Sequence, residues 1–298
     1  MDRKALPQKY ASAKRAYERD ENIIRHLDER YPEQHLQNIE ISYSIQSGSY
    51  TRTAHDPVVA RNRREMHELI VSFLDEHRCQ SLLDCGIGEG TSWLEFSRPV
   101  ESFFGLDASF HRLMWCQKNL GNISALSRHR LCKANMLDLP FADAAIDAAV
   151  TMHAVEPNHE EDTVAIVKEL ARVAAKLIIL IEPNYRSASP AMRERMECHA
   201  YSRNIWQAAE SLESFSVEYD RPLRHANNSL NVSSCLVLKR TSEKARPDKP
   251  FRSPIDGSPL VEQTGVLIDT EGCYGFPIVA GVACLASEDA IFLGVSQI

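Results

Sequence analysis

Ser81-Leu82-Leu83-Asp84-Cys85-Gly86-Ile87-Gly88-Glu89-Gly90-Thr91 is the stretch that decides how the rest of the chain is read. An apolar run ends in an acid, Asp84, and three glycines follow at alternate positions. A strand that stops at glycines lets its backbone approach a ligand closely, because no side chain intervenes and positive φ is free. The glycines are expected to open a helix whose first N–H groups face the same crevice. An acid just ahead of them suits a ligand that carries positive charge better than a pyrophosphate. The nicotinamide and flavin pattern G-x-G-x-x-G would need glycine at Thr91, where there is none.

Later segments add to this. Phe103-Phe104-Gly105-Leu106 is an apolar run that ends in Asp107, placed to accept hydrogen bonds from both hydroxyls of a ribose. Ala134 to Phe141 reads as a third strand running into a loop, with Pro140 preventing helix. In that loop the Asn135 amide can accept from the exocyclic amine of adenine, and the Met136 N–H can donate to a ring nitrogen. Asp147 to His153 reads as a fourth strand, buried on both faces.

Taken in order, these motifs resemble the class I S-adenosylmethionine (SAM)-dependent methyltransferases. Leu82 to Gly90 resembles their first motif and Gly105 to Ser109 their second, which brings Ala108 to the nucleoside beside Asp107. Asn135 to Phe141 with Ile146-Asp147 is similar to the "D-x-x-x-L-P-F … F-D" segment of members acting on small molecules. Glu169 to Val173 followed by Leu177 to Pro183 is similar to their "E-x-x-R-V-L-x-P-G-G" turn and fifth strand. The sequence departs from the family at Asn135, where aspartate is usual, and at Ala174-Ala175-Lys176, where Pro-Gly-Gly is usual. The resemblance spans residues 79–240. It implies a Rossmann-like α/β fold with seven mostly parallel strands, SAM as cofactor and S-adenosylhomocysteine (SAH) as product, with no metal. The implied cofactor set is Asp84, Gly86, Gly88, Gly90, Asp107, Ala108, Asn135, Met136 and Thr151.

Composition sets bounds. The chain has 298 residues, 44% hydrophobic and 25% charged, with a formal net charge of −7. That describes a globular protein with room for one large and one small domain. No apolar run approaches the ~20 residues of a membrane span. The N-terminal residues lack the apolar centre of a secretory leader. A cytoplasmic setting is expected. The eight cysteines form no C-x-x-C pair and read as buried free thiols. Arg61-Asn62-Arg63-Arg64 and Arg193-Glu194-Arg195 are the strongest basic clusters. They read as solvated helix faces, with an anionic substrate group as the second reading and a nucleic-acid partner not expected.

Residues 1–78 read as an N-terminal helical cover, with a Ser/Tyr/Thr/Gly-rich loop over 41–57 and a helix over 57–77. In the family such a segment covers the active site, which makes Tyr43, Tyr50 and His55 candidates for the substrate pocket. Residues 187–214 read as a helical insertion that commonly forms a substrate lid in this fold. Thr241 to Pro250 reads as a linker. Residues 250–298 resemble the zinc-ribbon-like methyltransferase activator family. Ser253, Asp256, Asp269 and Gly272 stand where its metal-binding cysteines would be, with Cys273 one position off. A zinc-free relic that stabilises an interface is expected.

Methyl transfer is an in-line displacement, so the residues after the fourth strand, Thr151 to His159, matter most. His153 is the first candidate for a base or substrate orienter, because its ordinary pKa lies near neutrality. Glu156 and His159 come next. The segment lacks the Asn/Asp-Pro-Pro-Tyr/Phe motif that clamps planar nitrogens. The favoured reading is transfer to oxygen, nitrogen or carbon of a small molecule by a protein that can be a homodimer. The alternative is a SAM-binding protein without turnover, or one that methylates RNA or protein through its C-terminal domain.

Overall fold

The computed structural model describes residues 6–294. Residues 1–5, part of the stretch read as leaderless, and residues 295–298 of the tail lie outside the described residues. Five helices come first: α1 (Leu6–Glu18), α2 (Ile23–Asp28), α3 (His35–Ile45), α4 (Ser49–Thr53) and α5 (Pro57–Glu76). Asp56 caps α5, accepting the Val58 N–H, and Pro57 occupies the first turn, where its missing N–H costs nothing.

The sheet and its helices follow: β1 (Ser81–Cys85), β2 (Ser102–Asp107), α6 (Phe110–Leu120), β3 (His129–Lys133), β4 (Ile146–Met152), α7 (Glu160–Val173) and β5 (Ala174–Pro183). Next come α8 (Pro190–Cys198), α9 (Ile205–Glu210), β6 (Phe215–Pro222) and β7 (Ser233–Arg240). β1 pairs in parallel with both β2 and β4. β7 runs antiparallel between β5 and β6. β4 is buried at every position and β1 at all but its first, so they tolerate only near-continuous apolar sequence. Strand order reverses at β1: β2 and β3 lie on one side, β4 and β5 on the other. The crevice at their carboxyl ends is where ligands bind in such sheets.

Three expectations fail. Ala134 to Phe141 holds no strand, because β3 ends at Lys133 and only an isolated bridge forms at Phe141. No α-helix opens at the glycines; among the described residues only a short 3-10 turn, Thr91–Trp93, separates them from β2. Trp93 is buried there, edge-on to Phe96 and Phe103, and the chain leaves helical geometry at Leu94, with ψ 135°, and Glu95, with φ 69°. The anion-binding helix end inferred from the glycines is therefore absent. Residues 41–57 are not a loop either, since α3 and α4 occupy most of them, hinged at Gly48 with φ 87°. Ile41 packs with Ala13, Ala16, Ile23 and Leu27, and that burial overrides weak local propensity.

The tail forms β8 (Leu260–Gln263), β9 (Val266–Asp269), β10 (Tyr274–Val279), β11 (Val282–Cys284) and β12 (Ile291–Phe292). β11 pairs in parallel with β3, so the sheet continues past β3 into the tail. Phe251 sits against Phe104 and Phe141 within the main core. At the degenerate positions, Ser253 Oγ accepts the Ile255 N–H at 3.2 Å. The Asp269 carboxylate accepts the N–H groups of Cys273 and Tyr274 at 3.0 and 2.6 Å. Side-chain oxygens thus hold both turns by hydrogen bonds.

Candidate functional site

Two adjoining cavities open at the carboxyl ends of the central strands. The first, about 360 Å³, is lined by Gly86, Asp107, Ala108, Asn135 and Met136 from the sheet edge. Glu40 of α3 and Ala286 and Glu288 of the tail complete its wall. Gly86 has φ 81°, and a Cβ there would collide with Ala154. Gly88 has φ 57°, and a Cβ there would strike the Arg112 guanidinium. Gly86 is thus required by conformation and space, and Gly88 by its positive φ, since the guanidinium end beside it can shift.

Asp107 is buried, with Oδ1 accepting the Ser109 N–H at 2.8 Å and Oδ2 the Gly88 N–H at 2.9 Å. A carboxylate has about four acceptor sites, so capacity remains for two ribose hydroxyls. Asn135 Oδ1 accepts the Leu137 N–H at 2.9 Å and keeps one lone pair. The Met136 N–H has no partner among the described residues. The first cavity therefore offers acceptors for a ribose, and an acceptor and a donor for a purine edge. This fits the adenosyl half of SAM.

Not every cofactor candidate lies in it. Asp84 lines neither cavity; its Oδ2 accepts from Trp93 Nε1 at 2.5 Å. Burial raises its pKa to about 7, against the lowering effect of the Trp93 hydrogen bond. An uncharged or half-charged acid turned inward is no direct partner for a ligand cation. Thr151 is fully buried in β4 and also lines neither cavity. Gly90 packs over Cys116 and serves the turn.

The second cavity, about 430 Å³, shares Gly86, Tyr43, Arg112 and His153 with the first. Tyr50, Glu156, Arg195 and Tyr201 extend it, with Asn62 and Arg63 of α5. His55 lines neither cavity. Of the basic clusters read as solvated faces, Asn62 and Arg63 are buried and Arg195 is half-buried. Arg112 and the Asn227–Asn231 loop carry no sequence mark of a site, and Tyr201 reads there only as part of an apolar stripe at helical spacing.

His153 sits at φ 55°, and its N–H donates to the Ile181 carbonyl. Its Nδ1 lies 3.0 Å from Glu156 Oε2 and its Nε2 2.6 Å from Ser233 Oγ. Burial alone would lower its pKa. The Glu156 carboxylate more than reverses that, with help from Glu182, and raises it to about 9. A protonated His153 with both nitrogens engaged has no free lone pair with which to abstract a proton. Glu182 lies beneath, accepting the Ala154 and Val155 N–H groups at 3.0 and 3.2 Å. Burial and Glu156 raise its pKa to about 7. His159 is elsewhere: its ring stacks on His35 at 3.6 Å, outside both cavities.

The cover is fastened to the glycine turn. Glu89 is buried, and its carboxylate accepts the Gly48 and Thr51 N–H groups, both at 2.8 Å, and the Thr51 hydroxyl.

Residues 82–176 match a family model described as "Methyltransferase domain". The fold is similar to that of magnesium protoporphyrin IX methyltransferase from Synechocystis PCC 6803 with bound SAH. Identity there is 13% over 62% of this chain and 86% of that one, with TM-score 0.50. It is also similar to N-methyltransferase NodS from Bradyrhizobium japonicum WM9 in complex with SAH. Identity there is 8% over 64% of this chain and 91% of that one, with TM-score 0.51. No curated protein matches the chain. No helix among the described residues is long and apolar enough to cross a membrane.

Proposed function

We propose, from the premise that this chain is a SAM-dependent methyltransferase with its methyltransferase domain at residues 82–176, that it methylates a small molecule held in the second cavity. The observation that carries this reading is the cavity's construction. Its walls come from α3, α4, α5, the turn after β4, α8 and the loop before β7. A recess closed by so many separate segments suits a small ligand more than the flat face of a polymer.

Bound SAM supplies a methyl group on a sulfonium, which is already an excellent leaving group. The chain's task is then placement: the acceptor atom must lie ~3–3.5 Å from that carbon, in line with the breaking bond. Gly86 and His153 border both cavities, so the reacting atoms meet there. Asp107 and Asn135 fix the nucleoside, and Tyr43 and Tyr50 wall the second cavity beside Arg112. His153, held by Glu156 and Ser233, places a fixed positive charge beside the acceptor. A neutral amine or an already deprotonated acceptor needs no base from these residues, since any proton it carries can leave to water after transfer.

The test is turnover with labelled SAM and a cell extract. Label in the small-molecule fraction supports the reading. Label confined to RNA or protein, or SAM binding without transfer, overturns it.

A further inference from the structure

We propose that the second cavity recognises its acceptor by an oxyanion, a carboxylate or phosphate, gripped by Arg195 and Arg63; this rests on the methyl-transfer reading above. Three arginines line the cavity against two carboxylates, Glu89 and Glu156, in a chain whose formal net charge is −7. Neither carboxylate neutralises an arginine. Glu89 is taken up by Gly48 and Thr51, and Glu156 by His153. Arg195 has no carboxylate within ion-pair distance among the described residues. Its Nη1 reaches only His199 Nε2, at 2.8 Å, and its buried Nε has no hydrogen-bond partner.

Arg63 is 1% exposed, and only its Nη1 is used, on the Ala54 carbonyl at 2.8 Å. Its Nε and Nη2 have no hydrogen-bond partner, and its nearest acid, Glu95 at 3.4 Å, is itself exposed. Buried guanidinium donors without partners are costly to fold, and a planar oxyanion satisfies two at once. Both arginines therefore have the geometry of groups awaiting a ligand.

The cofactor brings a carboxylate of its own, and Arg112 answers it. That guanidinium sits over Gly88 at the border of the two cavities, between the Tyr43 and Tyr50 rings at 4.9 and 4.8 Å. Its distance to Asp107 is 4.0 Å, and its Nε is unpartnered. Arg63 and Arg195 are left for the acceptor. Asn231, whose buried Oδ1 is also unpartnered, offers an acceptor for a neutral N–H or O–H on the same molecule.

The experiment saturates the full chain with SAH and titrates benzoate, phenyl phosphate and benzamide by calorimetry. At least one of the two oxyanions binds, and benzamide binds at least tenfold more weakly. Arg195→Gln and Arg63→Gln each weaken oxyanion binding at least tenfold while SAH affinity stays within twofold. Arg195→Lys, which keeps the charge and loses the fork, recovers part of the loss. Equal binding of benzoate and benzamide, no oxyanion binding, or an unchanged Arg195→Gln variant overturns the proposal. A fall in SAH affinity in Arg63→Gln removes Arg63 from the acceptor site. If the unmodified protein does not bind SAH, the methyltransferase reading itself fails and takes this proposal with it.

Discussion

The two halves of the crevice are built by opposite rules. The nucleoside half draws its polar groups from strand ends and the turns that follow them, so backbone geometry sets each position: Gly86, Asp107, Asn135 and Met136. The acceptor half draws Arg63, Arg195, Tyr43 and Tyr201 from helices and connecting segments that meet only when the chain closes. The first is rigid because a sheet supports it. The second is held by side-chain bonds between elements, such as Glu89 to α4 and His153 to Ser233. What binds can thus be stable across relatives while what is modified varies with the helices around it.

Damage at the shared border should have the largest effect. Gly86→Val forces a side chain into Ala154 at a positive φ, and SAM affinity should fall by more than about a hundredfold in calorimetry. Circular dichroism should show an intact fold; retained affinity would separate the glycine from the cofactor.

Asp84 should behave as a stability residue. Its pKa is raised to about 7, so ionising it in the folded state is unfavourable. The native protein should lose stability as pH rises from about 4 to 7, on the order of 4 kcal/mol. Asp84→Asn should flatten that slope in denaturant titrations and leave SAM affinity within twofold. A large loss of SAM affinity would return Asp84 to the ligand.

Asp107→Ala should cost SAM binding about 1–3 kcal/mol, the value of hydrogen bonds to a charged acceptor. An unchanged dissociation constant would remove the ribose assignment. His153 gives the smallest effect. Its folded pKa of about 9 lies above the ordinary value, so the stabilisation is full below about pH 6.5 and is lost as pH rises through 9. Because the ring is partly exposed, screening reduces the effect to about 1 kcal/mol. His153→Gln should abolish that alkaline slope in thermal melts between pH 7 and 10.

Sequence made the nucleoside half legible because each of its short motifs sits at a strand end and its backbone demands are local. Asp84 misled because its side-chain direction is set by Trp93, nine residues later, which pulls the acid inward. The missing helix after the glycines has the same origin. In the acceptor half, Arg63 and Arg195 belong to charge clusters, and such clusters usually face water. Only the folded cover shows that a wall of the cavity runs through them. The pairing of β11 with β3 was equally hidden, since a short apolar strand carries no mark of a partner about 150 residues away.

Glu89 belongs to the same turn as Gly86 and Gly88, and it also latches the cover. One tight piece of backbone is therefore both cradle and bolt. Removing that carboxylate would loosen α4 and the glycine turn together, so the shape of the cradle and the seating of the cover depend on one side chain.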